Sequence, residues 1–137
     1  MSVSLSAAQP TRADESPGAT LGLGYAHTID AGHSLTQVWL RDALGRAMDF
    51  ASLAAISDAF FPRLFLRRAR FVPVGTVSMT IYFHAQAEQL AKVGGGFILG
   101  QAQGQHFQNG FFDQSAQLWS QTGEMLVTTH QTVYYKE

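Results

Sequence analysis

The sequence predicts an α+β fold in which an antiparallel sheet packs against one helix. Three observations point to it. Between Phe50 and Phe61 (FASLAAISDAFF) apolar residues recur at helical spacing; from Val74 to His84 they alternate with polar ones; and after Phe97 three further strand-like stretches are joined by tight turns.

The helix comes first, because the rest of the chain surrounds it. Phe50, Leu53, Ala54, Phe60 and Phe61 make the apolar face, and Ala51, Ala55 and Ala59 keep the remainder slim enough for a sheet to wrap. Asp49 is the expected N-cap, its carboxylate accepting from a backbone N–H of the first turn, and Pro62 forbids continuation beyond Phe61. Asp58 fits this helix poorly. It falls in the last turn, at the negative end of the macrodipole, and its neighbours Ile56, Phe60 and Phe61 offer little solvation. Two readings stand: a solvated side chain on the exposed edge, or a carboxylate kept there for a function.

The flanking elements follow in order. Residues 1–19 are rich in Ser, Ala and Pro, with no large apolar residue after Leu5, and are expected to be a flexible leader before a single domain at 20–137. Leu21, Leu23 and Tyr25, then Leu35, Val38 and Leu40, suggest two short strands about a turn at Asp30 to Gly32. Gly45 marks a turn before the Asp49 cap. In the strand from Val74, the residues Val77, Met79, Ile81 and Phe83 are expected to face the core, and Thr76, Ser78, Thr80, Tyr82 and His84 the other side. Gly94, Gly95 and Gly96 match neither a nucleotide loop nor a dinucleotide fingerprint and read as a permissive turn. Phe97 to Gln108 reads as a long strand in which Gly100 and Gly104 allow close approach by a neighbour. Asn109-Gly110 is a hairpin signal leading to Phe111–Ser120, and Gln121 to Gly123 turns into Met125–Tyr135. On that last strand Thr129 and Gln131 share a face with Met125, Val127, Val133 and Tyr135. A buried Gln there needs partners, from a neighbouring strand, from water or from a site.

Composition narrows the chemistry. A chain of 137 residues can bury about two-thirds of its unfolded surface, so it needs neither metal nor disulfide to fold. It has no cysteine, which excludes a thiolate nucleophile and a Cys-based zinc site. The five histidines, His27, His33, His84, His106 and His130, lack ligand spacing, so no metal is expected. A formal charge of −1 with 14% charged residues offers no basic field for nucleic acid or an anionic membrane. The one basic cluster, Arg63, Arg67, Arg68 and Arg70, is either a solvated loop or a clamp for ligand phosphates. No apolar run is long enough to span a bilayer, and Arg12, Asp14 and Glu15 do not lead into a signal-peptide core, so a cytoplasmic protein is expected. There is no G-x-S-x-G elbow.

Several stretches in this order carry a resemblance: VWLRD at 38–42, AAISDAFFP at 54–62, TVSMTIYFH at 76–84 and NGFFDQSAQLWSQTGEMLVTTHQTVYY at 109–135. Together they resemble the C-terminal half of the acyl-CoA thioesterase II family, whose members carry two hotdog domains in one chain. The resemblance runs from about residue 35 to residue 137 and implies a hotdog fold, a sheet wrapped around a central helix. It implies a site as well: an Asp near the end of the helix, a Thr or Ser at the start of the next strand and a Gln in the last strand. Matched motif by motif, these are Asp58, Thr76 and Gln131, with Ser78 the alternative to Thr76 if the register shifts by two.

That trio suits thioester hydrolysis. Asp58 would take the proton of an attacking water, while the Thr76 hydroxyl and the Gln131 amide hold the water in line with the carbonyl. No cofactor is called for, and the substrate implied is an acyl-CoA. Because hotdog halves pair and this chain resembles one half, a homodimer or a dimer of dimers is expected, or else a partner half carried elsewhere. A hydratase of the same fold is disfavoured, since no His follows Asp58 within Ala59 to Leu64. A non-catalytic module that binds acyl-CoA or serves assembly is the alternative from another class.

Overall fold

Strands built from alternating side chains dominate the fold, described here from a computed structural model that covers residues 3–7, 33–68 and 71–136. In chain order the elements are β1 (Val3–Ala7), β2 (Thr36–Asp42), α1 (Phe50–Ser57), α2 (Leu64–Arg67), β3 (Val74–Phe83), α3 (Ala87–Val93), β4 (Ile98–Gln103), β5 (Phe107–Gln108), β6 (Phe111–Trp119) and β7 (Met125–Tyr135). The antiparallel sheet runs β1-β2-β4-β6-β7-β3, with β5 paired to β6. This is the α+β arrangement expected, and β3 closes one edge of it.

One face of the sheet receives the helix. Val38 and Leu40 of β2, Ile98 and Ala102 of β4, Ala116 and Leu118 of β6 and Val127 of β7 form one core with Leu53 and Ile56 of α1. Asp49 caps α1 as expected, accepting from the Ser52 N–H at 2.7 Å. The far end differs: α1 stops at Ser57, and Asp58 is its C-cap rather than a residue of its last turn. Two demands end it early. Pro62 biases the residue before it away from helical geometry, and Phe60 is drawn into the core above Gly100, where an added Cβ would lie 2.7 Å from the Phe60 ring and 2.6 Å from Leu40. Gly100 therefore makes room for the aromatic ring that follows the helix. Phe50, placed on the apolar face by sequence, is instead exposed and meets Phe83 edge-on at 5.7 Å.

Other differences have local causes. Val3–Ala7, within the segment expected to be a leader, is a strand whose residues pair with Val38 to Asp42. Its alternation of Val3 and Leu5 with serines is only five residues long and is swamped by the Ser- and Ala-rich stretch beyond. The strand anticipated near Leu21 to Tyr25 lies outside the described residues. The helix α3 was not anticipated; Gln89 closes its first turn by accepting from the Gln86 N–H at 2.8 Å, and Leu90 drops into the core. Gly94 then turns the chain with φ +55°, and Gly95 packs against the Gly45 carbonyl so tightly that an added Cβ would sit 2.6 Å from it. The long strand expected from Phe97 is broken after Gln103 into β4 and β5. Gly104 lies at the break, against the Asp113 carbonyl and Phe107. Asn109 and Gly110 both have positive φ, at 56° and 75°, as a tight hairpin between twisted strands requires.

Candidate active site

Three elements converge where α1 ends. Asp58 follows the last helical residue, and its backbone N–H donates to the carbonyls of Ala55 and Ile56. Gln131 projects from the helix-facing side of β7, in line with the buried Val127, Thr129, Val133 and Tyr135, and is itself 3% exposed. Thr76 lies near the start of β3, the neighbouring edge strand.

The register of β3 brings Thr76 to this side. Met79 pairs with Gln131, Ile81 with Thr129 and Phe83 with Val127, so these residues of β3 lie on the helix-facing side, although Val77 and Phe83, expected in the core, are exposed at the edge of the sheet. Simple alternation would then point Thr76 outward with Ser78, as the sequence suggests. The ladder shifts between Thr76 and Ser78, however, so that Thr76 pairs with Val133 and Ser78 with Thr132. Val77 is the extra residue of a β-bulge, and it carries the alternation over by one. Thr76 thereby joins the inner face while Ser78 stays on the outer one.

The three side chains form a hydrogen-bonded row. The Gln131 amide donates through Nε2 to Asp58 Oδ1 at 3.0 Å, and its Oε1 accepts from the Thr76 hydroxyl at 3.4 Å. A carboxylate only accepts, so the amide must turn its NH2 toward Asp58, and the carbonyl end is left for the Thr76 proton. The sequence and the structure thus bring Asp58, Thr76 and Gln131 together. Of the two placements the sequence left open for Asp58, the exposed edge is the one observed: Ile56 and Phe60 point into the core, and Asp58 is exposed, as is Thr76. Both lie toward β3, the open edge of the sheet. That edge displays Val77, Tyr82 and Phe83 at 61%, 58% and 44% exposure.

The arginine cluster divides. Arg63 is fully buried, donating through Nε and Nη2 to the Phe61 carbonyl at 3.0 and 2.8 Å and through Nη1 to the Ser34 carbonyl at 3.4 Å and to the Thr36 hydroxyl. It is a tie between segments rather than a solvated loop residue. Arg68 lies over the Tyr135 ring and donates to its hydroxyl at 3.2 Å, and Arg67 is half-buried on α2. Arg70 falls outside the described residues. Sequence reasoning also passed over Gln114 on β6, which is 3% exposed and pairs with Gln131. The signal was available, for Gln114 interrupts an inward alternation of Phe112, Ala116 and Leu118 just as Gln131 does on β7.

Among the described residues no helix is long and apolar enough to cross a membrane. None of the curated proteins matches the sequence. Among solved structures, a hotdog-fold protein of unknown function from Alicyclobacillus acidocaldarius is 41% identical, with a TM-score of 0.77 over 80% of this chain and 42% of its own. A tesB protein of Mycobacterium avium subspecies paratuberculosis gives 21% identity and a TM-score of 0.63 over 75% of this chain and 42% of its own. An acyl-CoA thioesterase II of Mycobacterium marinum gives 15% and 0.57, over 74% and 41%. The two mycobacterial likenesses show the fold alone, and the expected hotdog architecture holds. This chain spans about two-fifths of the length of each of the three. The model of the acyl-CoA thioesterase C-terminal domain matches residues 5–135, nearly the whole sequence, and the chain belongs to that family.

Proposed function

We propose that the chain hydrolyses the thioester of an acyl-CoA to a free acid and CoA. One observation carries the reading: in a member of a thioesterase family, Asp58, Gln131 and Thr76 are joined in a row by hydrogen bonds although they come from the cap of α1, from β7 and from β3. Water attacks the thioester carbonyl carbon as Asp58 accepts its proton. Gln131 and Thr76 orient that water, a positioning effect that accounts for much of the rate in such reactions. Collapse of the tetrahedral intermediate breaks the C–S bond, and CoA leaves as a thiolate that takes up a proton. A thiolate is a good leaving group, so no strong general acid is needed.

The protomer is incomplete by itself. Asp58 and Thr76 are exposed at an edge strand that displays Val77, Tyr82 and Phe83, and the match spans only about two-fifths of the larger solved relatives. A second hotdog against this edge would exclude water from all but the reacting position and supply the other wall of an acyl pocket. We assign that place to a second copy of the chain in a homodimer, in a cytoplasmic setting. A separate partner half, or a module that binds acyl-CoA without turnover, is the competing arrangement.

Release of free thiol from short, medium, long and aromatic acyl-CoAs, with the oligomer size of the same sample recorded, tests this. Turnover by a dimer, abolished in Asp58→Asn with acyl-CoA affinity retained, is the expected result. A folded dimer that binds acyl-CoA without releasing thiol would reject hydrolysis, and full turnover in Asp58→Asn would remove Asp58 from the mechanism.

A further inference from the structure

Gln114 has no place in the chemistry above, yet it is buried beside the residues that do. It lies on the inner face of β6, paired with Gln131 of β7, among Phe112, Ala116 and Leu118. A primary amide on such a face costs desolvation unless both ends are satisfied, and an apolar side chain would fill the same space without that cost. Its presence is explained by what it holds. Nε2 donates to the Phe60 carbonyl at 3.3 Å, and Oε1 accepts from the backbone N–H of Arg63 at 3.2 Å. Both partners belong to the segment directly after Asp58.

That segment decides where Asp58 stands. Helical geometry ends at Ser57, so beyond the N–H groups of Asp58 and Ala59, which return to carbonyls of the last helical turn, the C-cap residue is placed by the chain that leaves it. The Phe60 ring is seated over Gly100, the Phe61 carbonyl is held by the Arg63 guanidinium, and the Phe60 carbonyl and the Arg63 N–H are taken by Gln114. Neighbouring amides on adjacent strands thus grip one turn of chain: Gln131 holds the Asp58 carboxylate, and Gln114 holds the backbone two and five residues on. We propose that Gln114 is a positioning residue that fixes the Asp58 carboxylate against Gln131 and Thr76. The proposal rests on the reading of Asp58 as the group that activates water. Displacement of a reacting group by about 1 Å is enough to cost up to a hundredfold in rate.

The full-length chain in its assembled form is the material for the test, with thiol release from its best acyl-CoA as the readout. Gln114→Met keeps the volume and removes both hydrogen bonds; Gln114→Glu keeps an acceptor for Arg63 and loses the donor to Phe60. Well below the melting midpoint, kcat is expected to fall roughly ten- to a hundredfold in Gln114→Met and less in Gln114→Glu, with KM within about twofold. Combined with Asp58→Asn, Gln114→Met is expected to add no further loss, because it acts through the carboxylate. If Gln114→Met does not fold, Gln114→Glu is judged by the same criteria. A folded variant with kcat within about twofold of the parent, or a loss carried by KM alone, overturns the proposal even where Asp58→Asn is inactive. Wild-type turnover in Asp58→Asn would instead remove the catalytic reading underneath it, and the proposal with it.

Discussion

Replacing Arg63 with Met separates a structural arginine from a phosphate-binding one. Arg63 is fully buried, and its guanidinium lies 4.1 Å from the centre of the Phe61 ring while serving the carbonyls of Phe61 and Ser34 and the hydroxyl of Thr36. Ser34 in turn bridges Gly104, accepting from its N–H at 2.8 Å and donating to its carbonyl, so one side chain ties the α1–α2 connection to β2 and to the end of β4. Methionine keeps most of the stem packing but none of the donors. Each buried acceptor left without a donor costs about 1–3 kcal/mol, and removal of a desolvated charge returns part of that, so a net loss of about 3 kcal/mol is expected. For a domain of this size such a loss lowers the melting midpoint by roughly 10 °C. Calorimetry should be run at a fixed protomer concentration, since association raises the midpoint by mass action. A midpoint unchanged in Arg63→Met, together with weaker acyl-CoA binding at low salt, would refute the structural role and restore the phosphate clamp.

Three further outcomes are expected. Gly100→Ala forces a Cβ to within 2.6 Å of Leu40 and 2.7 Å of Phe60, an overpacking that should cost about 1–3 kcal/mol in a urea titration; no change in midpoint would mean that the Phe60 ring is not seated there. Thr76→Val should lower turnover at least about tenfold while Ser78→Val leaves it unchanged, and the opposite ranking would show that the bulge at Val77 does not set the working register. Asp42 is held below the ordinary carboxylate range by its hydrogen bond to the Arg46 side chain, and Asp49 by the Ser52 backbone N–H. A pKa lower in the folded state stabilises fully above the unfolded value near about 4 and loses its effect as pH falls through the folded value. Asp42→Asn should therefore flatten the decline in urea midpoint on acidification below about pH 4, and an unaltered slope would reject that linkage.

What could be read in advance depended on whether the deciding interaction was local. The start of α1 was legible because Asp49 acts on a backbone N–H three residues away, and the hairpin at Asn109-Gly110 because both residues tolerate positive φ. The end of α1 was not, since Phe60 leaves the helix to fill the space above Gly100, forty residues later. Arg63 looked like its neighbours Arg67, Arg68 and Arg70, because a run of four arginines has one composition whether its members face water or not. Burial picks out Arg63, and its bonding partners Ser34, Thr36 and Gln114 are far from it in the chain.

The candidate site divides along the same line. Gln131 was legible as an amide in an apolar alternation, and Gln114 offered the same signal unread; each amide is satisfied by the turn of chain that carries or follows Asp58. Thr76 could be reached only through the resemblance, because strict alternation turns it away from the helix. A bulge leaves no mark in composition: Val77 would suit a regular strand equally well, and only pairing with β7 shows that it is the supernumerary residue. That one residue changes which hydroxyl meets Gln131. The proposed water site therefore depends on two placements that no short stretch encodes, a helix cut short so that Asp58 becomes its cap and an edge strand slipped by one so that Thr76 faces inward. Both lie beside the exposed edge that a second hotdog would cover, so pairing with that partner is expected to bear on the catalytic geometry as directly as on stability.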